Sequence, residues 1–146
     1  YEFKDKLIKY DFGGLEYPLY ETFVVVDINN HYTGFQNKVI QEDISCKNLI
    51  LPEKSDFINI SKTLRYIDIN KIRNVANNID LNLVTNGTVR IFDYAKDIIN
   101  ILKEFMNLNY FLKNCRACNY YGDDPDIPVE CHWDYLVTLQ KIRGKK

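Results

Sequence analysis

The sequence predicts an α+β domain in which a mainly antiparallel sheet, either open or closed into a small barrel, packs with one short and one long helix. Three observations support this prediction. A β-branched run in residues 21–28 indicates a buried strand, and the pair Asn86-Gly87 between two alternating segments indicates a tight hairpin. Residues 93–113 carry apolar side chains at helical spacing. A cysteine-rich C-terminal loop and a last strand complete the predicted fold.

The composition is that of one folded domain covering residues 1–146. The chain is 46% hydrophobic and 14% aromatic, which excludes a disordered protein. Its length of 146 residues suits a single hydrophobic core. A net charge of −1 gives no overall attraction to nucleic acid or to an anionic membrane.

The chain begins at Tyr1 rather than Met, so we expect a processed form or a piece of a longer protein. Frequent Asn, Ile, Lys and Tyr are typical of translation from an AT-rich genome, such as that of a virus, a phage, a protist or an AT-rich bacterium. No apolar run reaches the roughly 18 residues of a membrane span. We therefore expect a soluble protein, with an intracellular location favoured over secretion.

The first half of the chain is predicted to supply most of the sheet. Residues 21–28 lack polar alternation, which is typical of a strand buried on both faces, and we place them at the centre. Residues 33–40 follow a turn and predict the hairpin partner of that strand. Further short strands are predicted at residues 47–51, 56–60 and 64–69.

The second half is predicted to hold both helices. Apolar residues recur every three or four positions in residues 68–80, which predicts a short amphipathic helix. Residues 81–92 predict a two-residue type I′ hairpin around the Asn-Gly pair. Asp93 can cap a long helix that runs to about residue 113, and residues 133–142 predict the last strand.

Residues 114–135 hold three of the chain's four cysteines. Cys115 and Cys118 form a Cys-x-x-Cys pair, whose spacing lets two thiolates bind one tetrahedral ion from a tight turn. Cys131 follows at a separation common in structural zinc sites. The segment therefore predicts three ligands of a structural zinc ion.

The fourth ligand is less determined by the sequence. His132 is adjacent to Cys131, and in extended backbone their side chains point to opposite faces. Cys46, or alternatively His31, could complete the site from a distance. The predicted zinc ligands are Cys115, Cys118, Cys131 and Cys46.

Other chemistry for these thiols stays open at this stage. Four cysteines also allow two disulfides, and free thiols in a capping loop are a third interpretation. A redox pair would follow a predicted helix rather than begin one, which is the wrong end for lowering a thiol pKa. The chain has no phosphate-binding glycine loop and no catalytic serine or zinc-protease motif.

The leading hypothesis is a non-enzymatic binding or interaction domain that is stabilised by the predicted zinc site. No complete catalytic set is visible in the sequence, and this absence motivates the hypothesis. We expect a protein partner and no membrane. The basic tail, residues 141–146, offers nucleic acid as an alternative partner.

Two alternative functions belong to other classes. Residues 18–80 resemble small-barrel ribonuclease toxins of the MazF and PemK type in the order of their strands and helix, which implies a small barrel that cleaves RNA. No Arg-Pro pair occurs in this chain, so no catalytic residue of those toxins is transferred to it. A phosphodiester-cleaving enzyme would need Arg65, Arg73 or Arg90 near a groove. The second alternative is a secreted, disulfide-linked effector or receptor-binding protein.

Overall fold

A computed structural model describes residues 8–13, 23–28, 38–121, 125–126, 128 and 132–143. Within these residues the chain forms one seven-stranded sheet and two α-helices. The strands are β1 (Lys9–Phe12), β2 (Val24–Asp27), β3 (Val39–Gln41), β4 (Ser55–Ser61), β5 (Leu83–Tyr94), β6 (Tyr110–Tyr120) and β7 (Trp133–Lys141). The helices are α1 (Ile72–Leu81) and α2 (Ala95–Phe105).

The strands lie in the order β3-β2-β1-β4-β5-β7-β6. The neighbours from β3 to β5 are all parallel, whereas β7 is antiparallel to both β5 and β6. The chain proceeds outwards from β1 to β3 on one side and from β4 to β5 on the other. A topological switch point therefore lies between β1 and β4, which is the arrangement of a doubly wound α/β sheet.

The predicted fold class is wrong. The sheet is open and mostly parallel, neither mainly antiparallel nor a barrel. The hairpin partner predicted for β2 is wrong as well, since β3 runs parallel to it with Val39 opposite Val25. The strand predicted at the centre lies next to the edge strand β3. Alternation predicts that a segment is extended, but it carries no information about the direction of the neighbouring strand.

The predicted Asn-Gly hairpin is wrong, because residues 83–94 form the single strand β5. A type I′ turn needs positive φ at both central residues. Asn86 has a φ of 69°, whereas Gly87 is outside the left-handed region. The register against β4 shifts at this point, so the pair lies in a bulge. Gly87 is needed for packing, because a Cβ there would lie 2.7 Å from the side chain of Leu83.

The predicted short helix is confirmed as α1, and the strands predicted at residues 56–60 and 133–142 are confirmed as β4 and β7. The strand predicted at residues 64–69 is wrong. That segment forms two 3-10 turns, Leu64–Tyr66 and Ile69–Lys71.

The predicted long helix is also too long. It begins after Tyr94 without a side-chain cap from Asp93, and it ends at Phe105. The residues beyond it form the edge strand β6. No helix in the described ranges is long and apolar enough to cross a membrane.

The main core lies between one face of the sheet and the two helices. Apolar side chains of β1, β4, β5 and β7 pack there against the apolar stripes of α1 and α2. The fully or nearly fully buried members include Phe12, Ile58, Ile60, Val75, Ile79, Val89, Ile91, Ile101 and Val137. β6 lies outside this core, and its residues are largely exposed.

The strand predicted at residues 47–51 is wrong, because two buried asparagines, Asn78 of α1 and Asn82 just after it, take up the hydrogen bonds of that segment. Asn78 accepts a bond from the Leu49 amide, and Asn82 accepts one from the Leu51 amide, both at 2.9 Å. Asn82 also donates to the Leu49 carbonyl at 2.9 Å. These side chains replace a sheet ladder, since buried backbone groups need a partner of some kind.

We expect Asn78→Ala to lower the free energy of unfolding by roughly 3 kcal/mol, because it leaves buried backbone groups of the loop without partners. The matched control is Asn77→Ala, an exposed position on the same helix, for which a change within about 0.5 kcal/mol is expected. Urea unfolding of both variants measures the difference. Equal stabilities would contradict the assigned role of Asn78.

Candidate functional site

The carboxyl ends of the five parallel strands lie at one edge of the sheet, called here the carboxyl edge. In open α/β sheets, ligands bind in the crevice at this edge, near the switch point. The start of the antiparallel strand β7 also lies there, with Asp134 opposite Tyr94. The residues at or just beyond these strand ends include Gly13, Asp27, Asp43, Lys62, Arg65, Asp93 and Asp134.

At the switch point, the segments that follow β1 and β4 pack directly against each other. Gly13 has a φ of 73°, and its amide donates to the Val26 carbonyl at 2.7 Å. A Cβ on Gly13 would lie 2.5 Å from the methyl group of Thr63, which is closer than side chains approach. The Thr63 hydroxyl lies 3.4 Å from the Gly13 carbonyl oxygen. Glycine is therefore required here both by its backbone conformation and by this contact.

Two carboxylates lie on the β2 and β3 side of the switch point. Asp27 is the last residue of β2, next to the end of β1, and is half-buried. Asp43 follows β3 and accepts bonds from the Ser45 hydroxyl at 2.7 Å and the Ser45 amide at 2.9 Å. These two bonds lower the pKa of Asp43. The carboxylate of Asp43 is thus ionised and held in one orientation.

A buried ionic cluster lies on the β5 and β7 side. Arg65 donates from Nε to Asp93 at 2.8 Å and from Nη2 to Asp134 at 3.2 Å. Both aspartate side chains are 0% exposed, and that of Arg65 is 16% exposed. The guanidinium lies 3.7 Å from the centre of the Tyr94 ring, within cation–π range. Arg65 thereby ties the segment after β4 to both β5 and β7.

The cluster contains more acidic than basic groups. Burial raises the pKa of Asp93, while the Tyr94 amide and then the Arg65 guanidinium oppose that rise. Burial, followed by the charge of Asp93, raises the pKa of the nearby Asp97 to about 6. The Tyr121 hydroxyl donates to Asp134; burial and this hydrogen bond raise the pKa of Tyr121 to about 12. The Arg65 guanidinium thus forms ion pairs with two buried carboxylates, and the carboxyl group of Asp97 lies nearby.

No protein family model matches this sequence, and no curated protein matches it either. Solved structures do match. The N-methyltransferase NodS of Bradyrhizobium japonicum, in complex with S-adenosyl-L-homocysteine, aligns with a TM-score of 0.68 at 12% identity, over 94% of this chain and 79% of that chain. A SAM-dependent methyltransferase of Methanosarcina mazei aligns with a TM-score of 0.71 at 10% identity, over 97% and 94%. Magnesium protoporphyrin IX methyltransferase of Synechocystis PCC 6803, with bound SAM, gives 0.68 at 10% identity, over 92% and 70%.

The chain has the fold of SAM-dependent methyltransferases. This methyltransferase fold overturns the small-barrel, toxin-like alternative. The leading hypothesis of a zinc-stabilised domain is also wrong, because the described residues bring no metal-ligand group together. A viral or phage source finds no support in these neighbours, which come from cellular organisms.

Zinc as the cofactor is wrong. In the described part of the chain, no three His, Cys, Asp or Glu side chains come together as a metal site. Cys115 and Cys118 are exposed and lie on β6 rather than in a tight turn. Residues three apart in a strand are separated by about 10 Å along the chain, too far for one tetrahedral ion without a turn.

The other predicted ligands are placed elsewhere or lie outside the described residues. Cys46 lies beside α1, where its carbonyl accepts a bond from Asn78 at 2.7 Å. Burial and then the charge of Asp43 raise the pKa of the Cys46 thiol, which disfavours the thiolate. Cys131 and His31 lie outside the described residues, so the joint position of the four cysteines is not tested.

The disulfide and nuclease alternatives also fail at particular residues. Cys46, Cys115 and Cys118 are free thiols, which excludes two disulfides among four cysteines. Arg65 is bound by two carboxylates, and Arg73 pairs with Glu104 at 3.1 Å on the surface. Arg65, held by two buried carboxylates, is therefore not available to bind a phosphate.

The residues that form the carboxyl edge were not identified from the sequence. One signal was available, since Gly13 follows a strand and Asp27 ends the next one, which is the order found in doubly wound nucleotide-binding folds. The full glycine-rich fingerprint is absent, so this signal is weak. Asp93 and Asp134 are distant in sequence, and no local pattern relates them to Arg65.

We expect Arg65→Met to lower the free energy of unfolding by about 3 kcal/mol, because it leaves two buried carboxylates without a counter-charge. Arg73→Met is the matched control, since it breaks an ion pair in which the arginine side chain is 73% exposed and should cost less than about 1 kcal/mol. Urea unfolding at neutral pH measures both. A loss for Arg65→Met no larger than that of the control would contradict the role assigned to the cluster.

We expect Asp97→Asn to stabilise the protein at pH 7. The folded-state pKa of about 6 lies above that of an unfolded chain, so the folded protein binds this proton more tightly and loses stability as pH rises through about 6. Allowing for solvent screening, the gain at pH 7 is about 1 kcal/mol, and it should vanish near pH 4. Urea unfolding at the two pH values checks this, and a variant less stable than wild type at pH 7 would refute it.

Proposed function

We propose that the protein binds S-adenosylmethionine at the carboxyl edge and acts as a methyltransferase. The observation that carries the proposal is the sheet order β3-β2-β1-β4-β5-β7-β6, with Gly13 and Asp27 at the ends of the adjacent strands β1 and β2. The bound S-adenosylhomocysteine and SAM of structures with the same fold support it.

The side chains on the β2 and β3 side fit the nucleoside part of such a ligand. In doubly wound folds an acidic residue beyond the first glycine turn accepts hydrogen bonds from ribose hydroxyls, and Asp27 is the residue so placed. Asp43, oriented by Ser45, lies two residues beyond β3, the next strand outwards, and would accept a bond from the amino group of the base. Both roles use carboxylate oxygens as acceptors, which give stronger hydrogen bonds than neutral groups.

The other side of the switch point would hold the methyl acceptor. Bound S-adenosylmethionine would supply an electrophilic methyl group on a positively charged sulfur. Asp97, in the first turn of α2 just after β5, has a pKa raised to about 6 and can accept a proton near neutral pH. Arg65 keeps Asp93 and Asp134 in place, so the walls of this region stay rigid while ligands exchange.

The test is calorimetric titration of the wild-type protein with S-adenosylhomocysteine. We expect Asp27→Ala to weaken binding by at least about tenfold, because it removes charge-assisted hydrogen bonds to the ribose. Glu53→Ala is the matched control, since it removes an exposed carboxylate just before β4, at the opposite edge of the sheet. Its affinity should match that of the wild type.

The proposal fails if the folded wild-type protein shows no heat of binding and no thermal shift at about 1 mM S-adenosylhomocysteine. Equal losses for Asp27→Ala and Glu53→Ala would instead contradict the assigned position of the ribose. Circular dichroism of each variant shows whether the fold is retained.

A further inference from the structure

Lys62, the first residue after β4, has a strained backbone. Its φ of 54° lies in the left-handed region, which side chains other than Asn and Asp seldom adopt. In the described part of the chain the other such non-glycine residues are Asn48 and Asn86, both of the tolerant type. Strain of this kind collects at ligand sites, where the surrounding structure enforces it.

The neighbours on both sides enforce this conformation. The Lys62 amide donates to the Phe92 carbonyl of β5 at 2.7 Å. The next residue, Thr63, packs on Gly13 at the end of β1. The segment after β4 is therefore fixed between β1 and β5. These contacts on both sides hold Lys62 at its positive φ angle.

This backbone conformation places the ammonium group of Lys62 at the carboxyl edge. The Lys62 ammonium lies 5.6 Å from the centre of the Phe92 ring, and the residue is exposed. Within the described residues Lys62 forms no ion pair, in contrast to Arg65, which is held by two carboxylates. A lysine without a carboxylate partner, held against an aromatic ring, retains its capacity to bind an anion.

The position of Lys62 separates it from the proposed nucleoside site. Asp27 ends β2, whereas Lys62 leans over β5, which is three strands away in the sheet and thus about 14 Å distant. The switch point lies between them. Under the proposed function, Lys62 therefore faces the half of the edge that receives the methyl acceptor.

We propose that Lys62 binds an anionic group, a carboxylate or a phosphate, of the methyl acceptor. This inference rests on the proposed function. The amino-acid carboxylate of S-adenosylmethionine has the same chemistry, so the experiment has to distinguish the two sources. Glycine would be the less strained residue at this φ of 54°, so the lysine carries a backbone cost that glycine would avoid.

The experiment compares wild type with Lys62→Met, Lys62→Gly and the control Asn48→Gly. Backbone amides are followed by NMR during titration with inorganic phosphate and, separately, acetate, which stand for the unidentified acceptor. In the wild type we expect both anions to change the chemical shifts of the backbone amides of residues 61–63 and 92. The affinity for each anion should be about fivefold or more weaker in both Lys62 variants. Lys62→Gly and Asn48→Gly should both unfold at a higher urea concentration than the wild type, but Asn48→Gly should keep the wild-type affinity for phosphate.

Titration with S-adenosylhomocysteine and with 5′-methylthioadenosine, which lacks the amino-acid carboxylate, identifies the source of the anion. If Lys62→Met binds both compounds with the wild-type affinity, the result supports an anionic group on the methyl acceptor. If Lys62→Met binds S-adenosylhomocysteine about tenfold more weakly than the wild type but binds 5′-methylthioadenosine equally well, that assignment is overturned and the cofactor's carboxylate lies at Lys62.

If phosphate and acetate cause no chemical-shift changes at the amides of residues 61–63 and 92 of the wild type, the proposal is overturned entirely. Anion binding at Lys62 without any binding of S-adenosylhomocysteine would support the anion site and refute the proposed function.

Discussion

The contact between Gly13 and Thr63 fixes how the two halves of the sheet meet. A Cβ at Gly13 would lie 2.5 Å from Thr63, so the ends of β1 and β4 can lie side by side only with glycine at this position. Because β1 and β4 pair in parallel here, the ends of the remaining parallel strands are brought to the same edge. The strained backbone of Lys62, immediately before Thr63, is a local consequence of the same contact.

Buried charge holds the other half of the edge together. Burying an ion is unfavourable unless a partner of opposite charge and additional hydrogen bonds compensate for the lost hydration. Arg65 meets this condition for both Asp93 and Asp134, and the Tyr94 ring covers its guanidinium. Such a cluster adds little net stability compared with apolar packing of the same volume, but the loss of one of its members leaves a buried charge without a partner. Such a cluster therefore specifies the position of the segment after β4 more than it strengthens the fold.

Some elements of the fold follow from local sequence patterns and others do not, for physical reasons. Local hydrophobic periodicity identified the strands β2, β4 and β7 and the helix α1, because these depend on which faces are buried. It failed at residues 47–51, where side chains of Asn78 and Asn82 supply the hydrogen bonds of a strand partner. It failed again at the Asn-Gly pair, because β4 pairs with β5 both before the pair, at Leu83, and after it, at Thr88, so the chain continues as one bulged strand instead of turning back.

The sequence by itself determined the extended segments β2, β4 and β7 and the helix α1, since these follow from side-chain chemistry and spacing alone. The tertiary structure decided the direction of each strand, which depends on the chain crossing over the sheet. It also decided the site. Asp27, Lys62, Asp93 and Asp134 come together at one edge only because parallel pairing aligns strand ends, and no local pattern in the chain encodes that alignment. The tertiary structure also decided where the described cysteines lie, with Cys115 and Cys118 on an exposed strand and Cys46 beside α1.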